Sequence, residues 1–142
     1  LKILVTGGGG FLGSSICRQL LSQGHEVVAF QRSAASHLEA LGVHIIRGDI
    51  TDRSDLLKAA DNCDAIIHTA GKAGVWGDRA QYWQINVEGT SNVIRVCRII
   101  SIPNLVYTST TSVVNYGSDI EGGNESLLIA KHFISPYPGT KA

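Results

Sequence analysis

The first thirteen residues constrain this chain more than any other stretch. Lys2-Ile3-Leu4-Val5-Thr6 is a short apolar run and reads as a buried strand. Gly7-Gly8-Gly9-Gly10 follow as a tight turn, after which Leu12, Ile16 and Leu20 recur at helical spacing. The glycines fall as Gly7-x-x-Gly10-x-x-Gly13. In a strand–turn–helix corner Gly7 permits the sharp turn, Gly10 lets a pyrophosphate approach the backbone, and Gly13 lets helix and strand pack closely. The helix N-terminus adds unpaired N–H groups and a partial positive charge. A glycine pattern alone is a weak signal. A strand before it and a helix after it are the context that makes it a dinucleotide site.

The same alternation runs downstream. Strands are predicted at 26–30, 43–47, 64–69 and 105–109, and a short polar helix at 34–41. Thr51 or Asp52 can cap a helix carrying Leu56, Leu57 and Ala60. A glycine-containing loop spans 70–77, then one long helix runs from about 81 to 100 with Val93, Cys97 and Ile100 on one face. Residues 112–135 lose the pattern and read as a long loop, and Ser135-Pro136 starts a further helix. Strands alternating with helices predict an α/β fold, a doubly wound parallel sheet of Rossmann type in the order 3-2-1-4-5.

Length bounds the domain count. At 142 residues the chain is expected to be one NAD(P)-binding Rossmann domain over 1–142. It starts at Leu1 rather than Met and ends just after Lys141, a residue assigned to catalysis below. The expectation is therefore the N-terminal part of a longer enzyme, stopped before the later strands and substrate domain, binding nucleotide weakly and turning over little.

Hydrophobic residues make up 44% and charged residues 17%, the balance of a folded domain. Twelve basic and twelve acidic side chains cancel, so no field favours nucleic acid or an anionic membrane. No apolar run reaches transmembrane length. The cysteines Cys17, Cys63 and Cys97 are scattered without a C-x-x-C pair, which suits reduced core thiols in a cytoplasmic protein. No His or carboxylate stands at metal-ligand spacing from His68, so no metal is expected.

In this kind of fold the residue ending the second strand meets the adenosine ribose, and a carboxylate there selects NAD by repelling a 2′-phosphate. Here the sequence is Phe30-Gln31-Arg32-Ser33. With no acid present, the Arg32 fork and the Ser33 hydroxyl suit a phosphate and favour NADP(H), NAD remaining open. Farther on, Tyr137-Pro138-Gly139-Thr140-Lys141 sets a phenol and an ammonium four residues apart, on one face if helical. An adjacent Lys⁺ favours phenolate, so Tyr137 can exchange a proton with a carbonyl or alcohol oxygen. Pro138 and Gly139 count against a helix there.

Thr6-Gly7-x-x-Gly10-x-x-Gly13 resembles the short-chain dehydrogenase/reductase superfamily, and Gly10-Phe11-Leu12-Gly13 is similar to its extended branch. Lys72-Ala73-Gly74-Val75-Trp76-Gly77, Ser112-Val113-Val114 and 119–126 narrow the likeness to the 3β-hydroxysteroid dehydrogenase/isomerase branch, with bacterial 2-alkyl-3-oxoalkanoate reductases the nearest in kind. The resemblance implies cofactor contacts at Gly7, Gly10, Phe11, Leu12, Gly13, Arg32, Ser33, Asp49, Ile50, Ala70, Gly71, Thr108, Tyr137 and Lys141. Asp49 would meet the adenine amino group, and His68-Thr69-Ala70-Gly71 stands where His-x-Ala-Ala is usual. Tyr107-Thr108-Ser109-Thr110 is similar to a Tyr-Thr-Ser-Ser segment whose hydroxyl polarises the substrate carbonyl, Thr110 in first place and Ser109 in second. Thr110, Tyr137 and Lys141 would be catalytic, Lys141 also holding the nicotinamide ribose. Asn86-Val87-Glu88-Gly89-Thr90 implies an Asn that steadies the backbone of the site. Trp76 either faces a substrate or packs under its loop.

The activity implied is hydride transfer between nicotinamide and a ketone or secondary alcohol, with a β-keto acid or steroid-like substrate and a homodimer in the full-length enzyme. Two alternatives stand beside it: an NAD-dependent nucleotide-sugar epimerase or dehydratase, and a nucleotide-binding module without catalysis.

Overall fold

A computed structural model describes residues 1–115, 117 and 119–142, so the loop reading at Tyr116 and Ser118 lies outside the described residues. In chain order come β1 (Lys2–Thr6), α1 (Phe11–Ser22), β2 (Glu26–Gln31), α2 (Ser36–Glu39), β3 (His44–Arg47), α3 (Arg53–Ala59) and β4 (Ala65–His68). Then follow α4 (Arg79–Tyr82), a π-helical turn (Trp83–Glu88), α5 (Gly89–Ile99), β5 (Asn104–Tyr107), a 3₁₀ turn (Thr111–Val114) and α6 (Pro136–Lys141). All neighbouring strands pair in parallel, in the order β3-β2-β1-β4-β5. This is the doubly wound Rossmann arrangement.

Strand alternation splits the core into two layers. Leu4, Val28 and Ile66 face α3 and α5, meeting Leu56, Val93 and Val96. Val5, Val27 and Ala29 face the other way onto Cys17 of α1 and Leu38 of α2. Successive side chains of a strand point to opposite faces, so a sheet covered on both sides needs continuous apolar runs such as these. Asp52 caps α3, accepting from the Ser54 and Asp55 N–H groups. Among the described residues no helix is long and apolar enough to cross a membrane.

The structure redraws three helical expectations. The long helix at 81–100 is broken: six residues form a π turn between α4 and α5. Widening the helix by one residue per turn turns Asn86 inward, a use typical of π turns at functional sites. On α5 the buried line is Val93, Val96 and Cys97, while Ile100 lies past the helix end and is exposed. On α1 the most buried positions are Gly13 and Cys17, with Leu12 45% exposed. Close helix–strand approach puts the smallest residues innermost.

Strand register also aligns the site. One row across the C-terminal ends of the strands holds Phe30, Thr6, His68 and Tyr107 side by side. The loops after β1, β2, β4 and β5 leave from this edge.

Candidate functional site

The corner after β1 is made of backbone. Gly7 has φ +72°, donates to Phe30 O at 2.8 Å, and accepts from the Gly10 N–H at 2.9 Å. A Cβ on Gly7 would stand 2.8 Å from Ala70 N, so both the turn and the contact with the β4 loop require glycine. A Cβ on Gly13 would strike the Gly7 carbonyl.

Beside this corner lies a cleft of about 640 Å³. Gly7, Gly10, Arg32, Ser33, Asp49, Ile50, Ala70 and Gly71 all line it. Phe11, Leu12, Gly13, Thr108, Tyr137 and Lys141 are not on its wall; Phe11 is exposed and Gly13 supports from behind. Asp49 Oδ1 takes both the Thr51 N–H (2.9 Å) and the Thr51 hydroxyl (2.7 Å), which hold its carboxyl below the usual range. Arg32 adds a smaller pull in the same direction. Ile50 is buried against the position where Gly89 lacks a side chain, and Asn92 ties its carbonyl and that of Thr51 to α5.

Behind the cleft runs a buried polar network. His68 is 1% exposed, its Nδ1 2.6 Å from Thr6 Oγ1 and its Nε2 2.9 Å from Thr90 Oγ1. The Thr90 hydroxyl spends its hydrogen on Asn86 O at 2.5 Å. Hydrogen counting therefore assigns Nε2–H donating to Thr90, and Thr6 donating to Nδ1. Burial, then the charge of Lys141, brings the His68 pKa down to about 4. A neutral imidazole bonded at both nitrogens is a strut.

Asn86 joins three parts. Its Oδ1 accepts from the Lys72 N–H (2.7 Å), and its Nδ2 donates to Lys72 O (3.0 Å) and to Thr140 Oγ1 (2.9 Å). The glycine loop after β4, the π turn and α6 are thereby locked together. A Cβ on Gly71 would lie 3.3 Å from that Oδ1 and 3.9 Å from Lys141 Nζ.

Tyr137 and Lys141 do share a helix. Pro136 and Pro138 fall in the first turn of α6, where backbone N–H groups have no helical partner to lose. Lys141 is buried and burial lowers its pKa; its Nζ lies 4.2 Å from the centroid of the Tyr107 ring. Tyr137 lines a second, larger cavity of about 1190 Å³, together with Ser112, Val75, Leu128 and Phe133.

The hydroxyl run at 108–112 splits its duties. Ser109 donates to Lys141 O at 3.3 Å. Thr110 caps the 3₁₀ turn, accepting from the Ser112 N–H at 3.3 Å and donating to Ser112 Oγ at 3.1 Å. The 3₁₀ turn that Thr110 caps packs on α6, and Ser112 rather than Thr110 lines the cavity of Tyr137. Trp76 is 86% exposed and does not pack under its loop, whose carbonyl is held instead by the Tyr82 hydroxyl.

A model of the 3-beta hydroxysteroid dehydrogenase/isomerase family matches residues 4–142. This chain belongs to that family. A 2-alkyl-3-oxoalkanoate reductase of Stenotrophomonas maltophilia is 48% identical over 144 residues, covering 100% of this chain and 44% of that protein. A 3 beta-hydroxysteroid dehydrogenase/Delta 5→4-isomerase of Mycobacterium tuberculosis is 36% identical over 147 residues, covering 99% and 40%. Among solved structures, the Thermus thermophilus UDP-glucose 4-epimerase in complex with NAD superposes with a TM-score of 0.87 at 30% identity, covering 99% of this chain and 47% of that one. The family member described here thus spans less than half the length of these relatives.

Sequence reasoning passed over three contributors. Gln31 ends β2 on the cleft wall, its Nε2 donating to Ser33 O at 2.9 Å. Its Oε1 is the buried side-chain polar atom left without a partner among the described residues. Ser112 faces the cavity that Tyr137 lines. Lys72 lines the cleft with its Nζ over the Tyr82 ring, 5.2 Å from the centroid. Position at a strand end was a usable signal for Gln31; Lys72 and Ser112 stand inside motifs that carry the family resemblance, which gave them no role of their own.

Proposed function

We propose that this chain is the nucleotide-binding and catalytic half of an NADP(H)-dependent reductase of ketones, acting on a β-keto acid or a steroid-like ketone. The observation that carries this reading is α6. It sets Tyr137 on the larger cavity while Lys141 reaches back to the glycine loop at the end of the dinucleotide cleft.

The cleft fits a dinucleotide. Its floor is a glycine cradle that a Cβ would fill, on Gly7 against Ala70 and on Gly9 against the Gln31 amide 2.6 Å away. Gly7 and Gly10 would lie along the pyrophosphate, with Arg32 and Ser33 at the ribose and its 2′-phosphate. Asp49 and Ile50 would hold the adenine, and Ala70 and Gly71 the inner phosphate and ribose. When bound, the nicotinamide supplies or accepts the hydride.

The protein's share is proton management. Tyr137 gives its phenolic proton to the substrate oxygen, or takes one back from an alcohol. Thr110 and its partner Ser112 offer the hydroxyl that orients this oxygen. Lys141, one turn farther along α6 and close to Gly71, would hold the nicotinamide ribose.

Isothermal titration calorimetry can follow nucleotide binding. NADPH is expected to bind more tightly than NADH. The protein that carries this sequence should then oxidise NADPH with a β-keto acid or a steroid ketone. Tyr137→Phe should bind NADPH normally and lose roughly 10²–10⁴-fold in turnover. Equal turnover in that variant would overturn the assignment.

A second reading has its own support. The unpaired Gln31 Oε1 is an acceptor that a ribose 2′-hydroxyl would satisfy and a 2′-phosphate would not. That favours NAD, as in an epimerase or dehydratase with a recycled cofactor. Tighter binding of NADH, retained through purification and not consumed in turnover, would select it.

A further inference from the structure

We propose that Tyr107 is the positioning residue for Lys141: its ring face is the seat on which the buried ammonium rests. The role of that ammonium in catalysis rests on the reductase reading above; the seat itself does not.

Lys141 is buried at the end of α6, yet among the described residues no carboxylate pairs with it and no hydrogen bond from its Nζ is present. What it has is the Tyr107 ring, 4.2 Å from Nζ to centroid. A cation over an aromatic face within about 6 Å is attracted by the ring quadrupole, most strongly where water is excluded. Without that face a buried ammonium would lose its proton more readily or turn to solvent.

The ring is itself fixed. Strand register places Tyr107 beside His68, and the two rings stack at 5.7 Å with planes 29° apart. His68 is locked at both nitrogens by Thr6 and Thr90. Burial raises the Tyr107 pKa, a hydrogen-bonding contact with Thr90 lowers it, and Tyr137 raises it again. Tyr107 therefore stays a neutral phenol, and its ring keeps an uncharged face.

Other titratable groups cannot take over this task. His68 is neutral, and Tyr137 shares the helix with Lys141. The elements packed on α6 also carry Arg79, Tyr82 and Glu88. None of these forms an ion pair with Lys141. The geometry therefore points to the ring, one residue before the hydroxyl run that the sequence draws attention to.

The test is a titration of Lys141 by NMR in protein carrying ¹³C-labelled lysine, with no nucleotide present. Tyr107→Phe keeps the face and should leave the Lys141 midpoint where it is. Tyr107→Leu removes the face and should weaken proton affinity about tenfold, a midpoint lower by about one pH unit. Because Tyr107→Leu can fail to fold, a second series keeps the shape. Replacing Tyr107 with phenylalanines of increasing ring fluorination drains the face of charge and should lower the midpoint step by step. A midpoint unmoved across the fluorinated series would overturn the proposal, as would equal shifts in Tyr107→Phe and Tyr107→Leu. If the series behaves as expected while wild-type protein binds no NADPH, the reductase reading falls and the seat stands.

Discussion

The two corners of the site are built by different means. At the corner after β1 the contacts are between backbone atoms: Gly7 to Phe30, Gly10 to Gly7, and Gly13 against both Gly7 and Gly8. At the α6 corner side chains hold everything, with Asn86 bridging Lys72 and Thr140, and Lys141 seated on Tyr107. A backbone corner is broken by adding an atom. A side-chain corner is broken by taking one away.

The largest effect should come from adding that atom. Gly13→Ala puts a methyl against the Gly7 carbonyl, with the Gly8 Cα only 2.8 Å away, and neither is free to retreat. Overpacking of this kind should cost about 3 kcal/mol or more in urea unfolding. A loss below about 1 kcal/mol would mean that the corner yields, and the contrast with α6 would dissolve.

His68 spans the two corners, from Thr6 on one side to Thr90 on the other, and it should make their union sensitive to acid. Its folded pKa of about 4 lies below the ordinary value of 6.5. The unfolded chain thus binds the proton first, so this stability is present above pH 6.5 and is lost as pH falls toward 4. The loss should be on the order of 3 kcal/mol. Urea midpoints across that range should slope in wild type and flatten in His68→Gln.

Removing atoms at the α6 corner should act locally. Asn86→Ala deletes three hydrogen bonds and strands their partners, at a cost of about 2 kcal/mol. Hydrogen exchange should speed up in α6 and in the loop after β4 but not in α1. Equal loosening of α1 would show that the corners are not independent. Smallest of all, Arg32→Ala should leave the fold intact and lower NADPH affinity about tenfold, about 1.4 kcal/mol, with little change for NADH.

The backbone corner was legible because its information is local. Gly7, Gly10 and Gly13 lie within one turn of chain, and their spacing already states which atoms must be missing. Sheet order followed from the same logic, since parallel strands need right-handed crossovers and the glycine motif marks β1. Asn86 and Lys141 were found by resemblance and by the four-residue spacing to Tyr137, but their partners were not. Asn86 meets Thr140 across 54 positions, and Lys141 meets Tyr107 from a distant element of the chain. No local pattern spans such distances. The π turn was missed for a related reason: apolar spacing in 81–100 reads as a continuous helix, and only the demand to turn Asn86 inward breaks it.

The chain's own order of residues determined the alternating strands and helices, the glycine turn and the Tyr137–Lys141 pair, because each depends on neighbours a few residues apart. Tertiary structure alone decided which groups confront them. Register brought Thr6, His68 and Tyr107 into one row, and burial made His68 neutral and left a ring as the partner of a lysine. Electrostatics in a buried site depends on what surrounds a group in space, and that is settled only when distant segments pack.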